Sequence, residues 1–245
     1  MDLMIDVGKR IPQPRQYGKL EVDTGEKVIH TGHIALGSPF SNTQPIRGYL
    51  IDTADSLVMK TGQKISLNQK ISDISKLLLA LKWDLNHAGS QKFDLDISLF
   101  MTDAANKTQE ENFIFYNNPR SRCGSIMLKE DHGLCVKEYY NETVQIDLNR
   151  APSHIQTLAI TVTIDEADER GQNFGQISNA YLSVIDAASG KEILSYPFAE
   201  HLSVETAIVV TEIYRYKGEW RINAIGRGFK GGLEALCDNY GIETK

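Results

Sequence analysis

Residues 93–100 read FDLDISLF, and the chain alternates there without a break. Phe93, Leu95, Ile97 and Leu99 fall on one side of an extended backbone; Asp94, Asp96 and Ser98 fall on the other. A period of two predicts a half-buried β-strand. The pattern recurs. Leu77, Leu79, Leu81 and Trp83 interleave with Leu78, Ala80, Lys82 and Asp84, a strand apolar at its start and polar on one face at its end. Over 157–164, Leu158, Ile160, Val162 and Ile164 share a face opposite three threonines and Ala159. Shorter extended runs are predicted at 65–67, 113–116 (FIFY), 123–128, 144–148, 177–185, 192–196 and 206–216. A Lys217-Gly218 turn leads into a last strand, EWRINAIG. LNHAGSQK at 85–92 reads as the loop of a hairpin, which would bring Asp84 close to Asp94.

The period changes near the C-terminus. Leu233, Leu236, Cys237 and Tyr240 stand at i, i+3, i+4 and i+7, an amphipathic helix stopped by Gly241. Cys237 lies on its core face. DEADERGQ at 165–172 reads as an acidic loop or single helical turn. The whole predicts a mainly β protein, an antiparallel β-sandwich with a short C-terminal helix. Residues 1–55 differ. IPQP breaks regular structure, LEV and KVI flank a DTGE turn, and GSPFSNTQP follows. With so few large apolar residues this stretch builds no core of its own. It reads as an N-terminal arm or small β appendage lying on a main domain of residues 56–245.

Composition narrows the function. The 245 residues are 41% hydrophobic and 24% charged, with a net charge of −6. That balance opposes a phosphate-backbone binder, so no nucleic-acid partner is expected. No apolar stretch reaches the roughly 20 residues of a membrane helix, and MDLMIDVGKR lacks a signal peptide's apolar region. Cys123, Cys135 and Cys237 are odd in number and lack CxxC spacing, which disfavours a disulfide framework or structural zinc. A cytoplasmic location is expected.

Catalytic chemistry finds little footing. GxSxG, HExxH and P-loop patterns are missing; GRGFKGG (226–232) has no GK[ST] ending and reads as the tight route into the terminal helix. His30 and His33 lack companion ligands. Asp94 and Asp96, neighbours on one strand, make a poor glycosidase pair. Asp is unusual in strands, and two carboxylates roughly 6.5–7 Å apart on one face repel unless screened. Two readings stand: a solvated outer face, or half of a hard-cation site completed by other acidic loops.

Several blocks resemble the TerD family of tellurium-resistance and stress proteins: KTGQKISL (60–67), LKWD (81–84), FDLDISLF, FIFYNN (113–118), VTIDEADERGQNFGQI (162–177), ETA (205–207) and EIYRYKGEWRINAIGRGFKGGLEALCDNYGI (212–242). The resemblance spans about 57–243 and leaves out residues 1–55. It implies a β-sandwich that binds calcium (Ca2+) through acidic loops, and a non-enzymatic role in tellurite and stress resistance alongside other stress-response proteins, in membrane-associated complexes. Cyclic-AMP binding, described for related proteins, is a further implication. By position, Asp84, Asp94, Asp96, Asn117 and Asn118 fall on the family's acidic and amide positions. Glu166 stands where the family has aspartate, and Asp165 where it often has histidine. The family's Gly/Asp-rich loop is replaced by KEDHGLCVKEYYNET (129–143), where Asp131 and Glu142 survive but most glycines do not. Cys123 stands where aspartate is usual. One calcium site on the 84/94/96 side is expected and the second is weakened. The alternative is a scaffold without calcium. The arm would specify a partner or an oligomer. Direct thiol reduction of tellurite is not expected.

Overall fold

The computed structural model describes residues 35–36, 49–50, 53, 55–68, 70, 74–85, 93–128 and 142–244. The DTGE turn, His30, His33, Asp131 and Cys135 lie outside the described residues. Within the first 55 residues, β1 (Ala35–Leu36) and β2 (Tyr49–Leu50) form a short antiparallel ladder.

The main domain runs β3 (Leu57–Val58), β4 (Lys64–Ser66), β5 (Lys76–Leu85), β6 (Leu95–Thr102), β7 (Phe113–Ile114), β8 (Ile126–Leu128), β9 (Glu142–Asp147), β10 (Thr157–Ile164), α1 (Ala167–Arg170), β11 (Ile177–Asp186), β12 (Glu192–Pro197), β13 (Ala207–Tyr216), β14 (Glu219–Phe229) and α2 (Gly232–Tyr240). One sheet orders β4-β14-β13-β10-β6-β7, the other β3-β12-β11-β5-β9-β8. All pairings are antiparallel except β3 with β12. The expected sandwich and terminal helix are therefore present, with Gly241 closing α2 in the left-handed region at φ 77°.

The core forms where the alternating faces meet. Leu77, Leu79 and Leu81 of β5 pack in one apolar cluster with Leu95, Ile97 and Leu99 of β6 and Leu158, Ile160 and Val162 of β10. Burying one such side chain contributes about 1.5–3 kcal/mol. This arrangement corrects the expected hairpin. β5 and β6 are not paired: β5 lies between β11 and β9, β6 between β10 and β7. The connection at 86–92 crosses from one sheet to the other. Alternation fixes which face of a strand is apolar, and strands in opposing sheets satisfy it equally well.

A second correction concerns the polar face of FDLDISLF. Asp94 is exposed and Asp96 half-buried, but Ser98 is buried, its Oγ 2.7 Å from Thr161 Oγ1. Phe100 on that same face is fully buried beneath α2, in a second apolar cluster with Phe113, Phe115, Leu236, Cys237 and Tyr240. The helix covers the far half of a face that the alternation alone leaves to solvent.

Candidate functional site

Strand direction gathers most of the expected residues at one end of the sandwich. β6 begins there as β10 ends, and Asp165 N donates to Asp94 O at 2.9 Å while Thr163 stands opposite Asp96. Glu166 then takes a left-handed conformation, φ 48° and ψ 34°, at the start of α1. A residue with a Cβ seldom adopts that geometry. The turn that follows brings Arg170 back: its Nη2 lies 2.5 Å from Glu166 Oε2 and 3.6 Å from Asp165 Oδ2. The hydrogen bond to Glu166, with the charges of Glu166, Asp165 and Asp94, holds the guanidinium above its ordinary pKa.

A cleft of about 350 Å³ opens beside this turn, lined among others by Asp96, Asp165, Glu166, Asp168, Phe115 and Leu233. Asp94, Asp96, Asp165 and Glu166 are thus brought together. Asp84 is not among them. It sits on the other sheet, where Asn179 Nδ2 donates to its Oδ2 at 3.0 Å. Asn179 has φ 50° and lies in a bulge between Ser178 and Tyr181, beside a second cleft of about 580 Å³. Asn118 serves the turn after β7: its Nδ2 donates to Phe113 O at 2.7 Å, and its backbone exchanges hydrogen bonds with Phe115. Asn117 is exposed in that turn. Glu142 opens β9 opposite Leu81. The 129–141 stretch joins β8 to β9, so it leaves from the end of the sandwich that holds Asp84 and Asp94.

Two side chains that engage these acids, Arg170 and Asn179, were not singled out from the chain. Arg170 carried a signal, the i,i+4 spacing from Glu166. Asn179 carried none, because a bulge inside an alternating run is silent.

The oxygen donors suit a hard cation, which takes six to eight of them. Among the described residues, however, no three His, Cys, Asp or Glu side chains group as a metal requires. Arg170 already engages two of the carboxylates.

Cys123 is half-buried, with Sγ 3.0 Å from Ser125 Oγ and 3.5 Å from Ser121 Oγ. Burial pushes its pKa up, but these hydrogen bonds outweigh it and leave the thiol below its ordinary value. Cys237 is fully buried and pushed up to about 12 by burial and by Asp238 and Glu234.

The TerD domain profile matches residues 56–240. General stress protein 16U of Bacillus subtilis (strain 168) is 38% identical over 77% of this chain and 99% of its own length. Tellurium resistance protein TerD of Serratia marcescens is 35% identical, again over 77% of this chain and 99% of its own. A crystal structure of a homologue of telluride resistance protein (TerD) from Streptomyces coelicolor A3(2) shares the fold, with a TM-score of 0.54 at 23% identity over 67% of this chain and 95% of that one. With its two sheets, its terminal helix and its acidic end, the chain belongs to the TerD family.

Proposed function

We propose that the chain is a cytoplasmic, non-enzymatic module of the tellurium-resistance and stress-response type, which acts by contacting other stress-response proteins and takes calcium at its acidic end. The observation that supports this most is the placement of Asp96, Asp165 and Glu166 along one cleft, with Asp94 held beside Asp165 by a backbone hydrogen bond. Asp94, Asp96 and Asp165 would supply carboxylate oxygens, and loops 86–92 and 129–141, with Asp131, the remainder. The two curated relatives are named for stress and for tellurium resistance, and neither name carries a reaction. No helix among the described residues is long and apolar enough to cross a membrane, so attachment to membrane complexes would run through partners. A cyclic nucleotide is disfavoured, because carboxylates lining the cleft repel its phosphate.

One observation favours the rival reading, a scaffold without calcium: Arg170 sits among the acids as an internal cation. Calorimetry and thermal shift during a calcium titration separate the two. Binding to the native state raises apparent stability by mass action. The expected result is measurable heat and a rising Tm by millimolar calcium, both lost in Asp94→Asn/Asp96→Asn. No heat and no shift at that concentration leaves the scaffold reading.

A further inference from the structure

One rung of the first sheet runs beneath the end of α2. Phe100 of β6 stands opposite Ala159 of β10, Ala159 opposite Glu212 of β13, Glu212 opposite Asn223 of β14, and Asn223 opposite Lys64 of β4. Phe100 and Ala159 belong to the apolar cluster under the helix. Ile213, Ile222 and Ala224 point into the sandwich core, so their chain neighbours Glu212 and Asn223 take the outer face. Directly opposed residues on one face have Cβ atoms about 4.5–5.5 Å apart. The rung therefore turns from apolar to polar within one strand spacing.

Polar atoms gather at that change, and four of them bond to nothing. Tyr240 Oη and Asn239 Nδ2 of α2, with Asn223 Oδ1 and Arg221 Nε of β14, are buried without a hydrogen-bond partner among the described residues. Tyr240 as a whole is 0% exposed. Glu212 and Arg227 lie close enough for their charges to act on its hydroxyl. Arg227 Nη2 donates to Asn239 Oδ1 at 3.0 Å, which leaves the amide nitrogen over. Arg221 follows two residues before Asn223 on the same face, opposite Tyr214. Buried polar atoms are nearly always bonded, and a cluster without partners marks the place of a water, an ion or a ligand.

The inventory of these atoms selects the occupant. Tyr240 Oη, Asn239 Nδ2 and Arg221 Nε have protons to give, whereas Asn223 Oδ1 and an ionised Glu212 carboxylate only accept. A metal ion would engage the acceptors and be repelled by Arg221 and Arg227; a simple oxyanion would engage the donors and be repelled by Glu212. A hydroxyl both accepts and donates, and several on one ligand satisfy both sets. Tyr214 and Tyr216 continue this face beside Arg221, and Tyr216 is 46% exposed. Glu212, Asn223 and Arg221 are half-buried and Lys64 is exposed, so the seam opens to solvent on its β14 side. Aromatic surface next to a few convergent polar groups suits a molecule with C–H groups on its face and hydroxyls round its rim.

We propose that the seam between the last turn of α2 and strands β13 and β14 binds a small hydroxyl-rich molecule, a sugar or polyol, whose hydroxyls join Tyr240 and Asn239 to Glu212 and Asn223. The acidic cleft meets the first turn of α2 and this seam its last. The inference is independent of calcium.

Side-chain NMR of the full chain tests it. Glucose, myo-inositol and glycerol are titrated separately against the Asn223 and Asn239 amides and the Arg221 Nε–H, with sodium sulfate as the anion control. At least one of the three is expected to shift these signals to saturation. Saturation with sulfate alone would make the seam an anion site and overturn the proposal. No saturable shift with any of the four would leave ordered water there and overturn it too. Tyr240→Phe keeps the stacked ring and removes the hydroxyl. It should weaken binding of the responding molecule on the order of tenfold, the effect of one lost hydrogen bond, without lowering the Tm of the free protein. Equal affinity in parent and variant would overturn the proposal. Asn223→Ala should weaken binding similarly, and it decides if Tyr240→Phe does not fold.

Discussion

Tyr240 of α2 stacks on Phe100 of β6, with ring centroids 4.5 Å apart and planes 25° from parallel. Phe113 continues the stack on the other side of Phe100 at 4.3 Å, and Phe115 follows at 4.4 Å. This column fastens the helix to the sheet. Tyr240 is fully buried, yet its hydroxyl has no hydrogen-bond partner among the described residues. The ring and the hydroxyl should then behave differently. Tyr240→Ala is expected to destabilise by about 3–5 kcal/mol, the cost of emptying an aromatic site. Tyr240→Phe removes only an unsatisfied polar atom and should be neutral or mildly stabilising. Urea denaturation of both variants checks the contrast; equal losses would mean the hydroxyl is bonded.

Arg170 competes with any cation for Glu166 and Asp165. On the proposed calcium reading, Arg170→Gln should strengthen calcium binding several-fold, read by calorimetry, because a fixed positive charge beside Glu166 and Asp165 is removed. If affinity falls instead, Arg170 positions the carboxylates.

Glu212 lies on the outer face of its sheet, opposite Ala159 and Asn223. Burial raises its pKa, and Arg227 and Lys64 only partly offset this. A carboxyl with a folded pKa above its unfolded value contributes stability that is fully present below 4.5 and lost as pH rises through the folded value. Glu212→Gln, which stays neutral, should melt higher than the parent at pH 7, with the gap closing below pH 4.5. Melting curves across that range measure it, and a gap that widens on acidification would reverse the sign.

The cysteines should react in order. Alkylation of Cys123 is expected to reach half its maximal rate below pH 9.0, the ordinary thiol value, because its hydrogen bonds favour the thiolate. Cys237, buried with its pKa at about 12, should label only on unfolding. Mass mapping of iodoacetamide adducts against pH separates the two. Early labelling of Cys237 would show that α2 opens readily.

Much of this architecture was legible. Leu158 to Ile164 alternate against threonines, and Leu233, Leu236, Cys237 and Tyr240 mark one helix face, so β10 and α2 could be read from spacing alone. The sheet assignment of β5 and β6 could not. Their apolar faces look the same whether the strands pair or oppose each other, and only the ladders of Leu79 with Val144 and Leu99 with Ile160 decide. That ambiguity carried into the site. Asp84 was placed with Asp94 through the supposed hairpin, whereas it lies on the other sheet and binds Asn179. Phe100 was the overlooked clue to the outer face: a large aromatic in line with two aspartates has to be covered by something.

The ladders also set the order in which this protein can assemble on the ribosome. β4 finds its partner only at Arg221–Asn223, and β3 only at Leu194–Ser195. Roughly the first four-fifths of the chain is synthesised before β3 can pair, and β4 waits longer still. Such long-range pairing slows folding and leaves strand edges open to other chains meanwhile. A truncation upstream of β14 would deprive β4 of its neighbour, and one upstream of β12 would deprive β3 as well. Nascent-chain proteolysis should accordingly show no protected core until β14 has left the exit tunnel.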